Sequence, residues 1–222
     1  MFTGIIEAVG VVAAAEKVQG DLRLYIRTGD LDLSDVKLGD SIAVNGVCLT
    51  AVALPGDGFW ADVSRETLVH TRFPNLVPGE RVNLEKAMQP TTRFGGHIVT
   101  GHVDGLGEVI SVETDARSIR YKISAPTGIA RYIAAKGSIT VDGVSLTANA
   151  VDGHVFDLNI VPHTAQETII ASYQTGRKVH LEVDIIARYM ERLINYTDDN
   201  ITESAGGVSM ATLASAGFLN RR

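Results

Sequence analysis

The chain has 222 residues, 45% of them hydrophobic, with a formal net charge of −6 and a pI near 5.5. That acidic balance argues against a nucleic-acid or anionic-membrane binder, and the single cysteine, Cys48, excludes an internal disulfide and fits a reducing compartment. Glu7 interrupts the apolar N-terminal start and no apolar run reaches the roughly 18 residues of a membrane span, so a soluble cytoplasmic protein without a signal peptide is expected.

In chain order, Thr3-Gly-Ile-Ile opens a strand-rich half. Period-two alternation predicts a strand over Leu22–Arg27, and a short helical turn is expected at Asp32–Leu38. Asn45-Gly46 sits between two β-rich runs and predicts a tight hairpin over Ser41–Thr50. Strands are expected at Phe59–Val63 and Glu80–Glu85. The pattern then repeats at a constant offset of 97 residues, from Thr3 to Thr100 and from Thr50 to Thr147, with 24 of 86 aligned positions identical. The second half repeats the strands at Ile119–Ser124, Phe156–Ile160 and Arg177–Glu182 and the hairpin at Ser138–Thr147, turning at Asp142-Gly143, with a helical turn at Gly128–Lys136. Beyond it, Ile186, Tyr189, Met190, Leu193 and Ile194 follow helical spacing, on either a lid over the second half or a seam between subunits. A tail rich in Gly, Ala, Ser and Thr closes the chain and is expected to be mobile.

A period of this length is a domain, not a solenoid repeat. Some six strands per half predict an all-β protein of two similar six-stranded antiparallel barrels. The expected organisation is residues 1–90 and 97–185 as barrels, 91–96 as linker, 186–199 as a helix and 200–222 as tail.

A two-residue turn pairs Val44 with Val47, Ala43 with Cys48, Ile42 with Leu49 and Ser41 with Thr50. One hairpin face is then apolar core. The other carries Ser41, Ala43, Cys48 and Thr50, echoed by Ser138, Thr140, Ser145 and Thr147. Such small side chains suit close contact with a flat ligand or another subunit. The halves differ where chemistry is expected: Cys48 becomes Ser145, Ile5 becomes His102, Arg65 becomes Pro162, Glu66 becomes His163 and Ala87 becomes Asp184. A histidine titrating near neutrality suits proton transfer, and a thiol suits addition to an electrophilic carbon. His97 and His102 match no metal-site spacing, and no GxGxxG or phosphate loop is present.

Met1-Phe-Thr-Gly-Ile-Ile, Asn45-Gly-Val-Cys-Leu-Thr, Gly95-Gly-His-Ile-Val-Thr-Gly-His-Val-Asp and Asp142-Gly-Val-Ser-Leu-Thr, in duplicated halves, resemble the α-chain riboflavin synthases over residues 1–196. The resemblance implies dismutation of two 6,7-dimethyl-8-ribityllumazine molecules with four-carbon transfer. The products are riboflavin and 5-amino-6-ribitylamino-2,4(1H,3H)-pyrimidinedione, and no metal or cofactor is used. It further implies a homotrimer assembled through the C-terminal helix, with a site between the first barrel of one subunit and the second barrel of its neighbour. Carried over by motif, a first pocket uses Gly4, Ile5, Ile6, Cys48, Leu49, Thr50, Asp62, Val63, Ser64, Arg65, Glu66 and Thr67. A second uses Gly101, His102, Val103, Lys136, Ser145, Leu146, Thr147, Asn159, Ile160, Val161, Pro162, His163 and Thr164. His102 is the leading proton-transfer residue, Cys48 and Ser145 act at C7 of the acceptor, Asp184 supports as acid or base, and Phe2 orders the N-terminal segment. Docking to a lumazine synthase capsid is an open partner. The alternative reading is a non-catalytic lumazine or flavin chromophore-binding protein of the same fold.

Overall fold

The first half closes on itself and the second curls into an open sheet, and the strand register says why. In the computed structural model, which describes residues 1–196 and Ser215, the first half contains β1 (Ala8–Val18), β2 (Asp21–Arg27), β3 (Ser41–Val44), β4 (Val47–Ala53), β5 (Gly58–Val63) and β6 (Arg81–Lys86). All neighbours are antiparallel, and the order β1-β2-β5-β4-β3-β6 closes through β1 on β6, leaving no free edge. Alternation turns Leu24, Ile26, Ile42, Val44, Phe59 and Leu84 inward, each fully buried. Each such side chain contributes about 1.5–3 kcal/mol.

The second half contains β7 (Gly105–Asp115), β8 (Ser118–Ser124), β9 (Ser138–Val141), β10 (Val144–Thr147), β11 (Ala150–Asp152), β12 (Val155–Ile160) and β13 (Lys178–Val183). Its order is β10-β9-β13-β7-β8-β12-β11, a curled sheet of seven segments where six strands were expected. The extra segment has a local cause. β4 slips register between Ala51 and Ala53, and the equivalent strand breaks there into β10 and β11, with Asn149 N–H donating to Asp157 C=O at 2.7 Å beside the break.

The expected helical turn at Asp32–Leu38 is not helical. Asp32 accepts the Ser34 N–H at 2.8 Å, a local turn that competes with helix. At Gly128–Lys136 only α2 (Thr127–Ala130) is helical. Two short helices were not foreseen. Arg65–His70 (α1) is capped by Ser64, and Pro162–Glu167 (α3) begins on a proline.

Met1–Arg188 form one compact unit and Tyr189 onward a second. α4 spans Ile185–Ile194 of the expected 186–199, of which 197–199, like the expected tail at 200–222 apart from Ser215, lie outside the described residues. On α4, Ile186, Tyr189, Met190, Leu193 and Ile194 are all more than half exposed. Among the described residues no helix is long and apolar enough to cross a membrane.

The two barrels meet across an approximate two-fold axis. Phe2 and Val99, equivalent positions, exchange hydrogen bonds of 2.8 and 3.1 Å. The hairpin turns meet tip to tip: a Cβ on Gly46 would lie 2.7 Å from Gly143 N, and one on Gly143 the same distance from Gly46 N. Equivalent Asn83 and His180 do the same work from opposite sides. Asn83 donates to Asp142 C=O (2.9 Å) and accepts from Ile169 N–H (2.8 Å). His180 Nδ1 donates to Asn45 C=O and its Nε2 accepts from Arg72 N–H, both 2.8 Å. The Arg72 amide at Nε2 therefore leaves the proton on Nδ1. Burial holds the His180 pKa below its ordinary 6.5, against the pull of Asp142.

Candidate functional site

Each half clasps the segment just ahead of it, Thr3–Gly4 in the first and Thr100–Gly101 in the second. In the first half Glu85 at the end of β6 is 4% exposed, yet it accepts from Thr3 N–H (2.6 Å), Thr3 Oγ1 (2.8 Å) and Gly4 N–H (3.0 Å). Glu182 repeats this with Thr100 N–H (2.6 Å), Thr100 Oγ1 (2.7 Å) and Gly101 N–H (3.0 Å). Burial raises both carboxyl pKa values and the donated hydrogen bonds pull them back. These clasps hold Gly4 and Gly101 at φ +76° and +80°, open to glycine at little cost.

The clasped lips cross over. Cys48 N–H donates to Gly101 C=O at 2.8 Å, and Ser145 N–H to Gly4 C=O at 2.7 Å. A Cβ on Gly101 would meet Cys48 Cβ at 2.6 Å, and one on Gly4 would meet Ser145 Cβ at 2.6 Å. Val103 packs on the first core and Ile6 on the second. The motif grouping put Gly4–Ile6 with Cys48; the geometry puts Gly101–Val103 there and gives Gly4–Ile6 to Ser145. The small-residue hairpin face is therefore chiefly a joint between halves of one chain, with Ala43 and Thr140 fully covered.

One resulting cleft, of about 250 Å³, is walled by Val47, Cys48, Glu66, Thr67, His70, Thr71, Gly101, His102 and Val103. It brings together Cys48, half-buried, and His102, exposed on the lip. Glu66 faces His70 at 3.2 Å, and the Ser64 side chain accepts from Thr67 N–H at 3.4 Å. The equivalent positions of the other half are Ser145, His163, Thr164, Gly4, Ile5 and Ile6.

Other expected site residues lie apart from this wall. Leu49, Val63 and Ile160 are core. Asp62 faces Arg23 at 3.6 Å on the outer surface. The Arg65 amide donates to Asp21 at 3.1 Å. Thr50, Thr147, Asn159, Val161 and His163 are exposed, and Leu146 and Pro162 half-buried. Thr164 C=O accepts from Thr168 Oγ1 at 2.7 Å. Phe2 is fully buried at the joint with Ala43 and Val99. Asp184 accepts from Ile186 N–H at 3.0 Å, capping α4. Lys136 holds φ +67° where equivalent Gly39 holds +94°, a strained backbone at an expected binding residue. Glu85, Glu182 and His97 were missed as site-builders; the identity of Glu85 and Glu182 between halves marks them as equivalent but not as clasps. Among the described residues no cluster of His, Cys, Asp and Glu is arranged to hold a metal ion.

Two similar β halves with exchanged lips, and a cleft beside Cys48, define a duplicated β-barrel-type protein. Residues 3–87 and 100–184 each match the lumazine binding domain. Along nearly the whole chain it is similar to the riboflavin synthase of Photobacterium phosphoreum, 52% identical over 99% of this chain and 100% of that one. The riboflavin synthase of Bacillus subtilis is 40% identical over 98% and 100%. Among solved structures, LumP complexed with riboflavin superposes with a TM-score of 0.77 at 24% identity, over 82% of this chain and 99% of that one, which shows the shared fold. The chain belongs to the riboflavin synthase family of duplicated lumazine-binding proteins.

Proposed function

We propose that the chain is an enzyme that dismutates 6,7-dimethyl-8-ribityllumazine. One molecule sits in each barrel, a four-carbon unit passes between them, and riboflavin and the pyrimidinedione leave. The observation that carries this reading is the pair of equivalent, lipped barrels, in a chain whose end-to-end relatives are riboflavin synthases. Two identical substrates need two similar pockets, and unequal donor and acceptor roles need unequal groups in them. Cys48 against Ser145, Ile5 against His102 and Glu66 against His163 supply that inequality.

The lumazine C7 methyl is acidic because its carbanion delocalises into the ring. Holding two rings in register supplies about 7–11 kcal/mol of barrier lowering. A placed base adds about 10²–10⁴-fold. In this reading His102, exposed beside Cys48, takes the methyl proton. Cys48 and Ser145 add to C7 or direct water onto it, Asp184 supports proton transfer, and Lys136 and the clasped lips bind substrate. The exposed apolar residues of α4 support association of copies of the chain, in this reading a cytoplasmic homotrimer in which a first barrel faces a neighbour's second. A lumazine synthase capsid is a further partner to test.

The test is direct. Purified protein is mixed with 6,7-dimethyl-8-ribityllumazine without cofactor, and riboflavin absorbance is followed. Riboflavin formed with two substrates consumed per product supports the enzyme. Tight binding without turnover replaces it with the chromophore carrier.

A further inference from the structure

His97 is 7% exposed, and the roles assigned above leave it idle. Its ring is held at both nitrogens: Nδ1 lies 2.7 Å from Ser145 Oγ and Nε2 3.3 Å from Thr140 Oγ1. The His97 backbone N–H also donates to Thr3 C=O at 3.1 Å, beside the Phe2–Val99 crossing. The approach is tight, since a Cβ on Gly96 would stand 3.1 Å from Ser145 Oγ. Thr140 is itself 1% exposed, so its hydroxyl has the imidazole and little else to serve.

This arrangement belongs to the second half alone. The equivalents of Thr140 and Ser145 are Ala43 and Cys48. Ala43 has no hydroxyl to hold an imidazole, and His97 lies outside the two matched repeats, 3–87 and 100–184. The two hydroxyls that distinguish the second hairpin from the first are the two that grip His97. Ser145 is the equivalent of the residue that walls the first cleft, and it is half-buried.

We propose that His97 is a positioning residue for the reaction, taking up and returning a proton through Ser145 Oγ at the second barrel's pocket, with Thr140 fixing the ring. The proposal rests on the synthase reading. With Nε2–H donated to Thr140, Nδ1 accepts the Ser145 O–H, so the Ser145 lone pairs face the pocket. When Ser145 Oγ takes a proton from substrate, or from water adding to the ring, its own proton passes to Nδ1. The resulting imidazolium returns that proton along the same path as product leaves; only a proton moves, and no electron is transferred. Burial holds the His97 pKa below its ordinary 6.5, so the accepting form is the resting one, while the negative charge of Asp184 favours the charged form.

His97→Asn keeps a polar group facing Ser145 but cannot carry the proton. The expected result is native circular dichroism, an unchanged Kd for 6,7-dimethyl-8-ribityllumazine, an unchanged KM and a kcat reduced about 10²-fold or more. The double variant His97→Asn, Ser145→Ala should be no slower than Ser145→Ala, because the two act as one unit. Turnover within about 3-fold of the parent, losses that multiply, or a raised KM with kcat kept would each overturn the relay. If His97→Asn does not fold, Thr140→Ala decides: kcat about 10-fold down at unchanged KM supports the relay, and unchanged kcat overturns it. A parent protein that makes no riboflavin removes the synthase reading itself; a parent that turns over while His97→Asn keeps pace removes only the relay.

Discussion

The two halves agree where they hold the chain and differ at the lips and hairpins beside the cleft. Gly4 and Gly101, Thr3 and Thr100, Glu85 and Glu182, Gly46 and Gly143 are identical pairs making equivalent contacts, the Thr–Glu clasps within each half and the glycines across the joint. Cys48 and Ser145, Ile5 and His102, Ala43 and Thr140, Gly39 and Lys136 are the unlike pairs, and they line the lips and hairpins. Equivalence at the frame keeps two barrels interchangeable as folds. Divergence at the rim makes them unequal as chemical partners, which a reaction between two copies of one molecule requires.

Equivalent substitutions should therefore match in stability and diverge in activity. The largest effect is expected at the turn tips. Gly46→Ala and Gly143→Ala each place a Cβ 2.7 Å from the facing backbone and hold alanine at φ +78° or +83°. Each should cost about 3 kcal/mol or more, equally, in urea unfolding. Next come the clasps. Glu85→Gln and Glu182→Gln each turn one acceptor into a donor facing N–H groups, costing about 2 kcal/mol in either half. Turnover should fall further for one than for the other, and equal losses would dissolve the division between frame and rim.

The pH response breaks the symmetry at the axis. His180 is neutral in the fold with its pKa lowered by burial, so its contribution is complete above the unfolded 6.5 and is lost as pH falls below it. Glu85 and Glu182, with raised values, act oppositely: their contribution is present below the unfolded 4.5 and is lost as pH rises through their folded pKa. His180→Asn, which copies Asn83, should flatten the acid limb of stability by at most about 1.4 kcal/mol per pH unit. Denaturant midpoints at several pH values check this. The smallest effect is expected at Lys136. Lys136→Gly relieves a left-handed backbone and should raise stability by about 1 kcal/mol or less, while lowering affinity for lumazine if the side chain contacts it.

Much of the frame was legible because short-range rules govern it. Asn45-Gly46 and Asp142-Gly143 set the turns, and all eight cross-strand pairs follow from them. The exchange of lips was not legible. A repeat shows which residues are equivalent, but not whether a loop contacts its own barrel or the other one. Glu85 and Glu182 looked like ordinary strand-end charges, since only the folded lip supplies the three donors each accepts. Lys136 entered only through the family motif, and its positive φ, shared with equivalent Gly39, is a property of the backbone.

The tip-to-tip contact of Gly46 and Gly143 bears on how such a chain accumulates change. A duplicated segment ordinarily drifts freely, because the other copy covers for it. Here each turn is the other's ceiling and each lip is the other's wall, so neither copy stands alone. A change at a glycine or glutamate of the joint would be felt by both copies at once, whereas the rim positions are where the two copies already disagree.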